Sequence, residues 1–368
     1  MNMMRAARLH EERQPFSLDT VPIPEPRPTD VLVQVKACGV VPNLRNVVDN
    51  YSAWFPFLPL PKLPAIYGLD AAGIVSQVGS QVHSIKPGDR VYVNPGLSCG
   101  SCTACRRGDN INCPAYTFQG YFGFGSGSQQ IYDDYPYGGF GEFLTAPVKN
   151  LVKLPEGISF EQAARFGYLG TAYSALRKAH FKAGQTVLIN GVSGTLGLGA
   201  CLLALAMGAA RIFGTGRNVD LLEKVRALAP ERIQIIRLGD QPIHEVVRKA
   251  TDDYGVDVLI ETLGPGAPAA TTLDAFKALR RGGKAVACGG MADPLPLDPF
   301  PVMCQQLQYI GSLWFTTAEG EDMAAMADAG TLDLSVFEHQ RFTLDEVNEA
   351  VAAIEKRTGG FTNVVITP

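Results

Sequence analysis

Four cysteines lie within fifteen residues, at a spacing suited to one metal ion. The string CGSCTACRRGDNINC has the spacing C-x2-C-x2-C-x7-C and contributes the side chains of Cys99, Cys102, Cys105 and Cys113. Four thiolates complete the tetrahedral coordination of zinc and leave no open position for water or substrate. The motif therefore predicts one structural zinc per chain.

Two other uses of these cysteines are open. An iron–sulphur sequence reads C-x2-C-x2-C-x3-C-P, and Pro114 does follow Cys113, but the last spacing here is seven rather than three. Two local disulfides are the second alternative, which a reducing compartment disfavours. The remaining thiols are expected to be small buried apolar side chains; they belong to Cys38, Cys201, Cys288 and Cys304.

A glycine-rich turn is the second motif that carries chemistry. In TVLINGVSGTLGLGACLLALAMGA, a strand is followed by a G-x-x-G-x-x-G turn and an apolar helix. Missing side chains let the backbone approach a pyrophosphate, and the helix N-terminus supplies amide hydrogens and partial positive charge. We predict a dinucleotide site that contains Gly191, Ser193, Gly194, Thr195, Leu196 and Gly197. The alternative is a turn that needs glycine for packing only.

The end of the next predicted strand indicates which dinucleotide binds. In RIFGTGRNVD, Gly216 stands where an acidic side chain would hold the ribose 2′-hydroxyl of NAD, and Arg217 and Asn218 follow it. A 2′-phosphate would meet a cation and an amide there. We therefore predict that NADPH is preferred over NADH. The alternative is a solvated Arg217, with Asp220 turned back to hold the ribose.

Composition limits the classes of partner. The 368 residues are enough for two domains, and a composition of 46% hydrophobic and 18% charged residues is typical of a globular protein. The net charge of −4 gives no indication of a basic surface for nucleic acid or anionic membranes. The longest apolar stretch, at 196–210, is shorter than the roughly twenty residues of a membrane span. Because the N-terminus MNMMRAARLHEERQ lacks an apolar core, no secretory signal is visible, and we expect a cytoplasmic protein.

The two motifs must be positioned by two kinds of sheet. In the first half, Val31, Val33 and Val35 alternate with other residues, and frequent Pro and Gly separate short strands such as 90–95, a pattern that suits an antiparallel barrel. From about residue 160, strands alternate with helices, which predicts a parallel sheet covered on both faces. The predicted strands are Thr186–Asn190, Arg211–Gly214, Ile233–Leu238, Val256–Glu261 and Lys284–Cys288, and the predicted helices are Gly197–Met207, Pro242–Asp253 and Thr271–Leu279.

The C-terminal residues are predicted to return to the first unit. Thr343 and Glu346 have the spacing of a capping box, which opens a helix that runs to about Lys356. A final strand at 362–367 follows, and we expect it to join the first domain.

Taken in order, the motifs resemble the medium-chain dehydrogenase/reductase superfamily, which includes zinc alcohol dehydrogenases and quinone oxidoreductases. The resemblance covers nearly the whole chain and rests on KACGV, GLDAAGIVSQVG, KPGDRV, the cysteine lobe, GGFGEFL, LPEGISFEQAA and the glycine turn. It implies an α/β fold with a GroES-like β-barrel catalytic domain at residues 1–157 and 300–368, which carries the zinc lobe at 95–115. A Rossmann domain, a doubly wound parallel sheet, would occupy 158–299.

This chain departs from the zinc enzymes of the superfamily at the catalytic metal. Those relatives have zinc ligands at the last cysteine of CGVC, at the histidine of GHE and at a second cysteine later in the chain. In this sequence the three ligand positions fall at Val41, Leu69 and about Gly167. None of these side chains offers the thiolate, imidazole or carboxylate that zinc needs. The comparison implies that the catalytic zinc is lost and the structural zinc retained.

Other site residues follow from the same resemblance. Asn43 and Asn46 stand where the usual proton relay would be, and Tyr51 lies within one residue of a substrate-pocket tyrosine of quinone reductases. Tyr168 and Thr171 would lie near the nicotinamide. We assign Asn43 and Tyr51 as the candidate catalytic residues, although a packed aromatic is the alternative role for Tyr51.

Two aromatic features have open roles. Trp314 and Phe315 would wall a pocket for a flat apolar substrate or else belong to the core or a subunit interface. The aromatic and glycine-rich stretch at 116–143 is longer than is usual in the family and would be a pocket lid or a subunit contact.

The predicted function is NADPH-dependent reduction of an activated double bond, in an enone, a quinone or a similar small apolar or aromatic compound, without catalytic zinc. One alternative is a zinc-independent alcohol dehydrogenase or carbonyl reductase, and another is a protein that binds NADPH without turnover. A homodimer or homotetramer is expected, because relatives commonly associate through the Rossmann sheet and an apolar strand at 309–315 suits that contact.

Overall fold

The computed structural model describes residues 2–356 and 358–368. The strands are β1 (Met3–Leu9), β2 (Ser17–Pro22), β3 (Asp30–Gly39), β4 (Ala65–Ile66), β5 (Asp70–Val78), β6 (Arg90–Val93), β7 (Gly96–Leu97), β8 (Thr117–Phe118), β9 (Phe143–Pro147), β10 (Leu151–Lys153), β11 (Thr186–Asn190), β12 (Arg211–Gly216), β13 (Ile233–Arg237), β14 (Val256–Glu261), β15 (Leu279–Ala287), β16 (Gln308–Gly311), β17 (Glu338–Phe342) and β18 (Thr362–Ile366).

Twelve α-helices lie within these described ranges. They are α1 (Leu44–Trp54), α2 (Thr103–Arg106), α3 (Ser128–Asp134), α4 (Phe160–Ala163), α5 (Phe166–Lys178), α6 (Thr195–Ala206), α7 (Val219–Arg226), α8 (Ile243–Ala250), α9 (Ala269–Lys277), α10 (Pro299–Cys304), α11 (Thr317–Asp328) and α12 (Val347–Glu355), with 3-10 turns at Asn110–Asn112, Val148–Asn150 and Leu344–Glu346. Among them, no helix is both long and apolar enough to cross a membrane.

The first unit is built on a largely antiparallel sheet. Its strand order is β10-β6-β5-β3-β18-β17, and β9 also pairs with β3. The alternating valines of β3 are buried, as the sequence pattern predicts, and Leu32 between them is buried as well. Near the end of the chain, Ile366 of β18 lies opposite Cys38 of β3, so the final strand returns to the first unit as expected.

The second unit is a parallel six-stranded sheet in the order β13-β12-β11-β14-β15-β16. Apolar runs such as Val187–Ile189 and Val258–Ile260 are buried, because helices cover both faces of a sheet of this kind. The six strands and their helices give the α/β fold predicted from the alternation. The predicted boundary at residue 299 leaves β16 outside the sheet to which it belongs.

The two units meet at the glycine turn. The amide of Gly360, just before β18, donates to the carbonyl of Ser193 at 2.8 Å. The guanidinium of Arg165, at the start of α5, donates to the Gly360 carbonyl at 2.5 Å. The first hydrogen bond holds the segment before β18 against the N-terminal end of α6, where the sequence predicts the cofactor, and the second joins that segment to the start of α5.

Candidate active site

The four-cysteine lobe has the geometry of a tetrathiolate site. The Sγ atoms of Cys99, Cys102, Cys105 and Cys113 all lie within 4.8 Å of one another. Zinc–sulphur bonds of about 2.3 Å place tetrahedral thiolates roughly 3.8 Å apart, so small movements close the site around one ion. Backbone N–H groups of Cys99 and Ala115 donate to the Cys113 sulphur, each at 3.4 Å. The donor set therefore fits a structural zinc held by the short α2 and the segments on either side of it.

Elsewhere in the described chain, no other group of three or more His, Cys, Asp or Glu side chains is placed to share a metal ion. Of the remaining cysteines, Cys38 and Cys201 are buried as expected, and Cys288 is half-buried. The expected burial of Cys304 is wrong, because it ends α10 on the surface.

The glycine turn is shaped by contacts that exclude side chains. Gly191 has φ +91°, and a Cβ added to Gly197 would lie 2.1 Å from the Gly191 carbonyl oxygen. Because that neighbour is backbone, it cannot move aside as a side-chain end would. Gly194 caps α6, whose first residues are Thr195 and Leu196. Side chains are thus excluded at Gly191 and Gly197, and the adjoining helix N-terminus suits a pyrophosphate.

A buried polar network that the sequence patterns did not indicate supports this turn. The Glu261 carboxylate accepts from the Asn190 amide at 2.8 Å and from the Thr272 hydroxyl at 2.7 Å. The Thr215 hydroxyl donates to Asn190 Oδ1 at 2.6 Å and accepts from the Gly191 amide at 3.0 Å. Burial raises the pKa of Glu261. The feature of the sequence that could have indicated this network is the presence of polar residues at the ends of otherwise apolar strands.

The end of β12 matches the predicted cofactor-selecting position. Gly216 is buried, and a Cβ there would lie 3.1 Å from the Ser193 hydroxyl oxygen. Arg217 is exposed, and Asn218 caps α7 by accepting from the Leu221 amide at 3.1 Å. The capping role uses the carbonyl oxygen of Asn218 and leaves its amide hydrogens for a ligand. Asp220, the alternative ribose ligand, lies exposed in the first turn of α7.

One of the three positions at which the zinc relatives have ligands lies against a buried carboxylate. Gly39 lies opposite Asp70 across β3 and β5, and Leu69 precedes that strand. Val41 and Leu69 are buried. A Cβ added to Gly167 would lie 2.2 Å from one Asp70 carboxylate oxygen. The Asp70 side chain therefore fills the space that a third ligand side chain would need.

Asp70 is held by groups from β6 and from the start of α5. Tyr92 of β6 donates to its carboxylate at 2.7 Å, the Gly167 amide of α5 lies against it, and the nearby Arg165 guanidinium is also buried. Burial outweighs these favourable contacts and raises the pKa of Asp70 to about 7. Burial also lowers the pKa of Arg165 to about 10. Asp70 is thus a weakly acidic carboxyl group close to a buried guanidinium.

The two candidate catalytic residues are in contact. Asn43 precedes α1 and its amide donates to the Tyr51 hydroxyl at 2.6 Å, while Asn46 donates to Asn43 Oδ1 at 3.0 Å. Because the phenol oxygen of Tyr51 accepts from Asn43, its own O–H is free to donate to a ligand. Burial raises the pKa of Tyr51, so the phenol stays protonated near neutral pH.

The aromatic segment 116–143 forms one wall of this pocket. The Phe122 ring lies 5.3 Å from the Tyr51 ring, centroid to centroid. The ring centroids of Trp314 and Phe118 are 4.6 Å apart, and the Trp314 indole N–H donates to Asn94 Oδ1 at 2.9 Å. Phe315 is buried against Gly170 of α5. Trp314 and Phe315 are therefore core side chains behind the wall.

Tyr168 and Thr171 lie on α5, between the pocket and the nucleotide domain. The Thr171 hydroxyl donates to the Gly167 carbonyl one turn earlier, at 2.8 Å. Tyr168 is half-buried, with the Arg165 guanidinium 5.9 Å from its ring centroid, and the backbone of Tyr168 contacts Gly199 of α6. Helix α5 thereby connects the carboxylate pocket to the dinucleotide helix.

Comparison with known proteins identifies the family. Residues 27–156 match the alcohol dehydrogenase GroES-like domain, and residues 195–329 match the zinc-binding dehydrogenase domain. An alcohol dehydrogenase of Geobacillus stearothermophilus is 30% identical over 89% of this chain and 90% of its own. The chain belongs to the medium-chain dehydrogenase/reductase superfamily. A quinone oxidoreductase of Pongo abelii is 28% identical over 89% of this chain and 86% of its own. The crystal structure of an NAD-dependent alcohol dehydrogenase has 26% identity and a TM-score of 0.83, covering 99% of this chain and 100% of that one.

Membership of the medium-chain superfamily confirms the predicted fold, a GroES-like unit joined to a Rossmann-like parallel sheet. The chain is accordingly an oxidoreductase of a family that uses NAD(P). The four-cysteine cluster is consistent with the structural zinc of this family. The relatives of this chain include both alcohol dehydrogenases and quinone oxidoreductases, so family membership alone does not identify the reaction.

Proposed function

We propose that this member of the superfamily is an NADPH-preferring reductase of activated carbon–carbon double bonds and that it works without a catalytic zinc. The observation that carries the proposal is the replacement of the metal site. Val41, Leu69 and Gly167 stand at the ligand positions, and the Asp70 carboxylate fills the space beside Gly167. The polar groups near these positions are phenols, amides, the Asp70 carboxyl group and the Arg165 guanidinium.

This set of groups suits an enone or a quinone. When bound, NADPH would supply a hydride to the β-carbon of an enone; the π electrons would move to the carbonyl oxygen, and a proton from solvent or a tyrosine would reach the α-carbon and give the saturated ketone. The protein must therefore stabilise a developing oxyanion. Neutral O–H donors such as the Asn43-supported Tyr51 hydroxyl do this by hydrogen bonding, without a Lewis acid. A simple alcohol gains less, because its oxidation depends on loss of a proton that a metal would favour.

The preference for NADPH is supported by charge at the end of β12. Arg217 is exposed next to the buried Gly216, and the Asn218 amide hydrogens are also available. A 2′-phosphate would receive charge-assisted hydrogen bonds from these groups, whereas NADH offers only a hydroxyl. Ser193, Gly194 and the N-terminus of α6 would hold the pyrophosphate.

A metal-independent carbonyl reductase or alcohol dehydrogenase is the second candidate. It is favoured by the alcohol dehydrogenase among the relatives, whereas the quinone oxidoreductase favours the first candidate. The same hydroxyl donors would polarise a ketone. The two activities differ in the acceptor carbon, which is the β-carbon in one and the carbonyl carbon in the other.

The test is NADPH oxidation at 340 nm with two substrate panels. One contains cyclic and acyclic enones and quinones, and the other contains the saturated ketones of matching size. We expect turnover of the first panel at rates at least tenfold above the second. Preferred turnover of the ketones supports the carbonyl reductase. Binding of NADPH with no oxidation by either panel identifies a protein that binds the cofactor without turnover.

We also propose that the protein is a homo-oligomer. Strand β16 is the edge of the parallel sheet and pairs only with β15 within the described chain. Tyr309 and Leu313 at this edge are 42% and 41% exposed, and Phe300 and Met303 of α10 are exposed nearby in sequence. An edge strand with apolar neighbours suits pairing with a second copy. Light scattering after gel filtration would measure the mass, and a monomer would overturn this assignment.

A further inference from the structure

One buried hydroxyl beside the candidate catalytic residues has no acceptor. The Tyr121 side chain is only 4% exposed, and its O–H has no acceptor among the residues that the structure describes, while the Asn43 amide is close enough to act as a donor to its oxygen. Leaving a buried polar group unpaired costs roughly 1–3 kcal/mol. Tyrosine hydroxyls that serve packing alone usually find a partner. The same segment shows the usual arrangement, because the Tyr132 hydroxyl donates to the Pro59 carbonyl at 3.2 Å.

The Tyr121 hydroxyl faces the candidate catalytic groups. It lies within electrostatic range of the hydroxyls of Tyr168 and Tyr51 and of the Asp70 carboxylate, and it is beside Asn43. The ring is fixed by Phe122, whose centroid is 4.9 Å away, and by its backbone amide, which donates to the Phe118 carbonyl at 3.1 Å. The ring is thus fixed, and its hydroxyl lies among the candidate catalytic groups.

We infer that Tyr121 is a further catalytic residue, which donates a hydrogen bond to the carbonyl oxygen of the substrate together with Tyr51. This inference rests on the proposed function, since it names the second donor of the same oxyanion site. A ligand oxygen without a hydrogen of its own satisfies both phenols at once. The substrate class is therefore a carbonyl compound, such as an enone or quinone.

The two phenols would stabilise the negative charge that develops on the substrate oxygen when no zinc is present. Tyr51 has its oxygen occupied by the Asn43 amide, and Tyr121 has no acceptor within the described chain, so each has one O–H directed to a ligand. Two fixed donors that converge on one oxygen stabilise an oxyanion in a dry pocket. Burial raises the pKa of both phenols, which keeps them protonated.

The experiment compares Tyr121→Phe with Tyr132→Phe as a matched control in the full chain with NADPH. Removing the unpaired hydroxyl should lower kcat for the best enone or quinone about 100-fold and leave the NADPH Kd unchanged. The melting temperature should stay the same or rise, because an unpaired buried hydroxyl is removed. The control should melt at a lower temperature, since it loses a hydrogen bond, and should retain kcat within about twofold.

A binding measurement separates this inference from the proposed reaction. Cyclohexanone has no reducible carbon–carbon double bond, and its affinity for the NADP⁺ complex can be measured by calorimetry. We expect Tyr121→Phe to weaken it about fivefold, whether or not enones are turned over. Equal affinity in the two proteins, or no binding to the wild-type complex, would overturn the role of Tyr121. Failure of the enone panel with this affinity difference intact would overturn the proposed reaction alone.

Discussion

Replacing Asp70 with asparagine should remove a pH dependence from the stability of the protein. The folded-state pKa of Asp70 is about 7, against an ordinary value of 3.8. Between these two values the folded chain holds a proton that the unfolded chain has lost, so the free energy of unfolding falls as pH rises through this window. Each pH unit corresponds to about 1.4 kcal/mol, which gives a decline of up to about 4 kcal/mol. The introduced amide has no proton to lose in this range and retains an oxygen for the Tyr92 hydroxyl.

Urea unfolding at half-unit steps from pH 5 to 8 measures this difference, with the fluorescence of the buried Trp314 as the signal. The stability of the variant relative to the wild type should rise by about 1.4 kcal/mol per pH unit up to about pH 7 and level off above it. Asp257→Asn is the matched control: burial raises the pKa of Asp257, but hydrogen bonds from Thr186 and Arg280 outweigh it and leave the pKa lowered. That control should be destabilised by a constant amount from pH 5 to 8. A constant difference for Asp70→Asn as well would refute the proposed protonation of this carboxyl group.

Three further predictions concern the cofactor. Gly197→Ala should abolish NADPH binding measured by calorimetry, because the added Cβ would lie 2.1 Å from the Gly191 carbonyl oxygen. An unchanged NADPH Kd would mean that the turn is not the cofactor site. Arg217→Ser should raise the NADPH Kd about tenfold and leave the NADH Kd unchanged, as expected for one charge-assisted contact to the 2′-phosphate; equal effects on both cofactors would contradict this. Glu261→Gln should weaken NADPH binding about tenfold, because the substitution leaves one acceptor oxygen where two accept now, and the new NH2 group would face either the donors of Asn190 and Thr272 or the Leu263 amide. Wild-type affinity would separate that network from the cofactor.

Local sequence signals were sufficient for much of the nucleotide domain. Strands Thr186–Asn190 and Val256–Glu261 match the predicted bounds, because each is a short apolar run between turn residues. The Thr343 capping box also forms. Strand β15 begins at Leu279 rather than Lys284, since Gly282 and Gly283 resemble a turn but lie within an irregular strand.

The candidate pocket shows what the sequence could not supply. The contact between Asn43 and Tyr51 spans two turns of one helix and was within reach of local reasoning. The approach of Asp70 to Gly167 joins residues about a hundred positions apart, and only the folded chain brings them together. Tyr121 lies in the aromatic stretch 116–143, for which the sequence allows either a pocket lid or a subunit contact. Its importance rests on a missing hydrogen bond, which is a property of the tertiary structure.

The most direct test of metal-independent reduction is the zinc content of the purified protein, measured by elemental analysis together with enone reduction. We predict about one zinc per chain, bound by Cys99, Cys102, Cys105 and Cys113. Cys113→Ser should lower the zinc content and the melting temperature. Two zinc ions per chain, with activity lost when the second is removed, would contradict a pocket in which hydroxyl groups have replaced the catalytic metal.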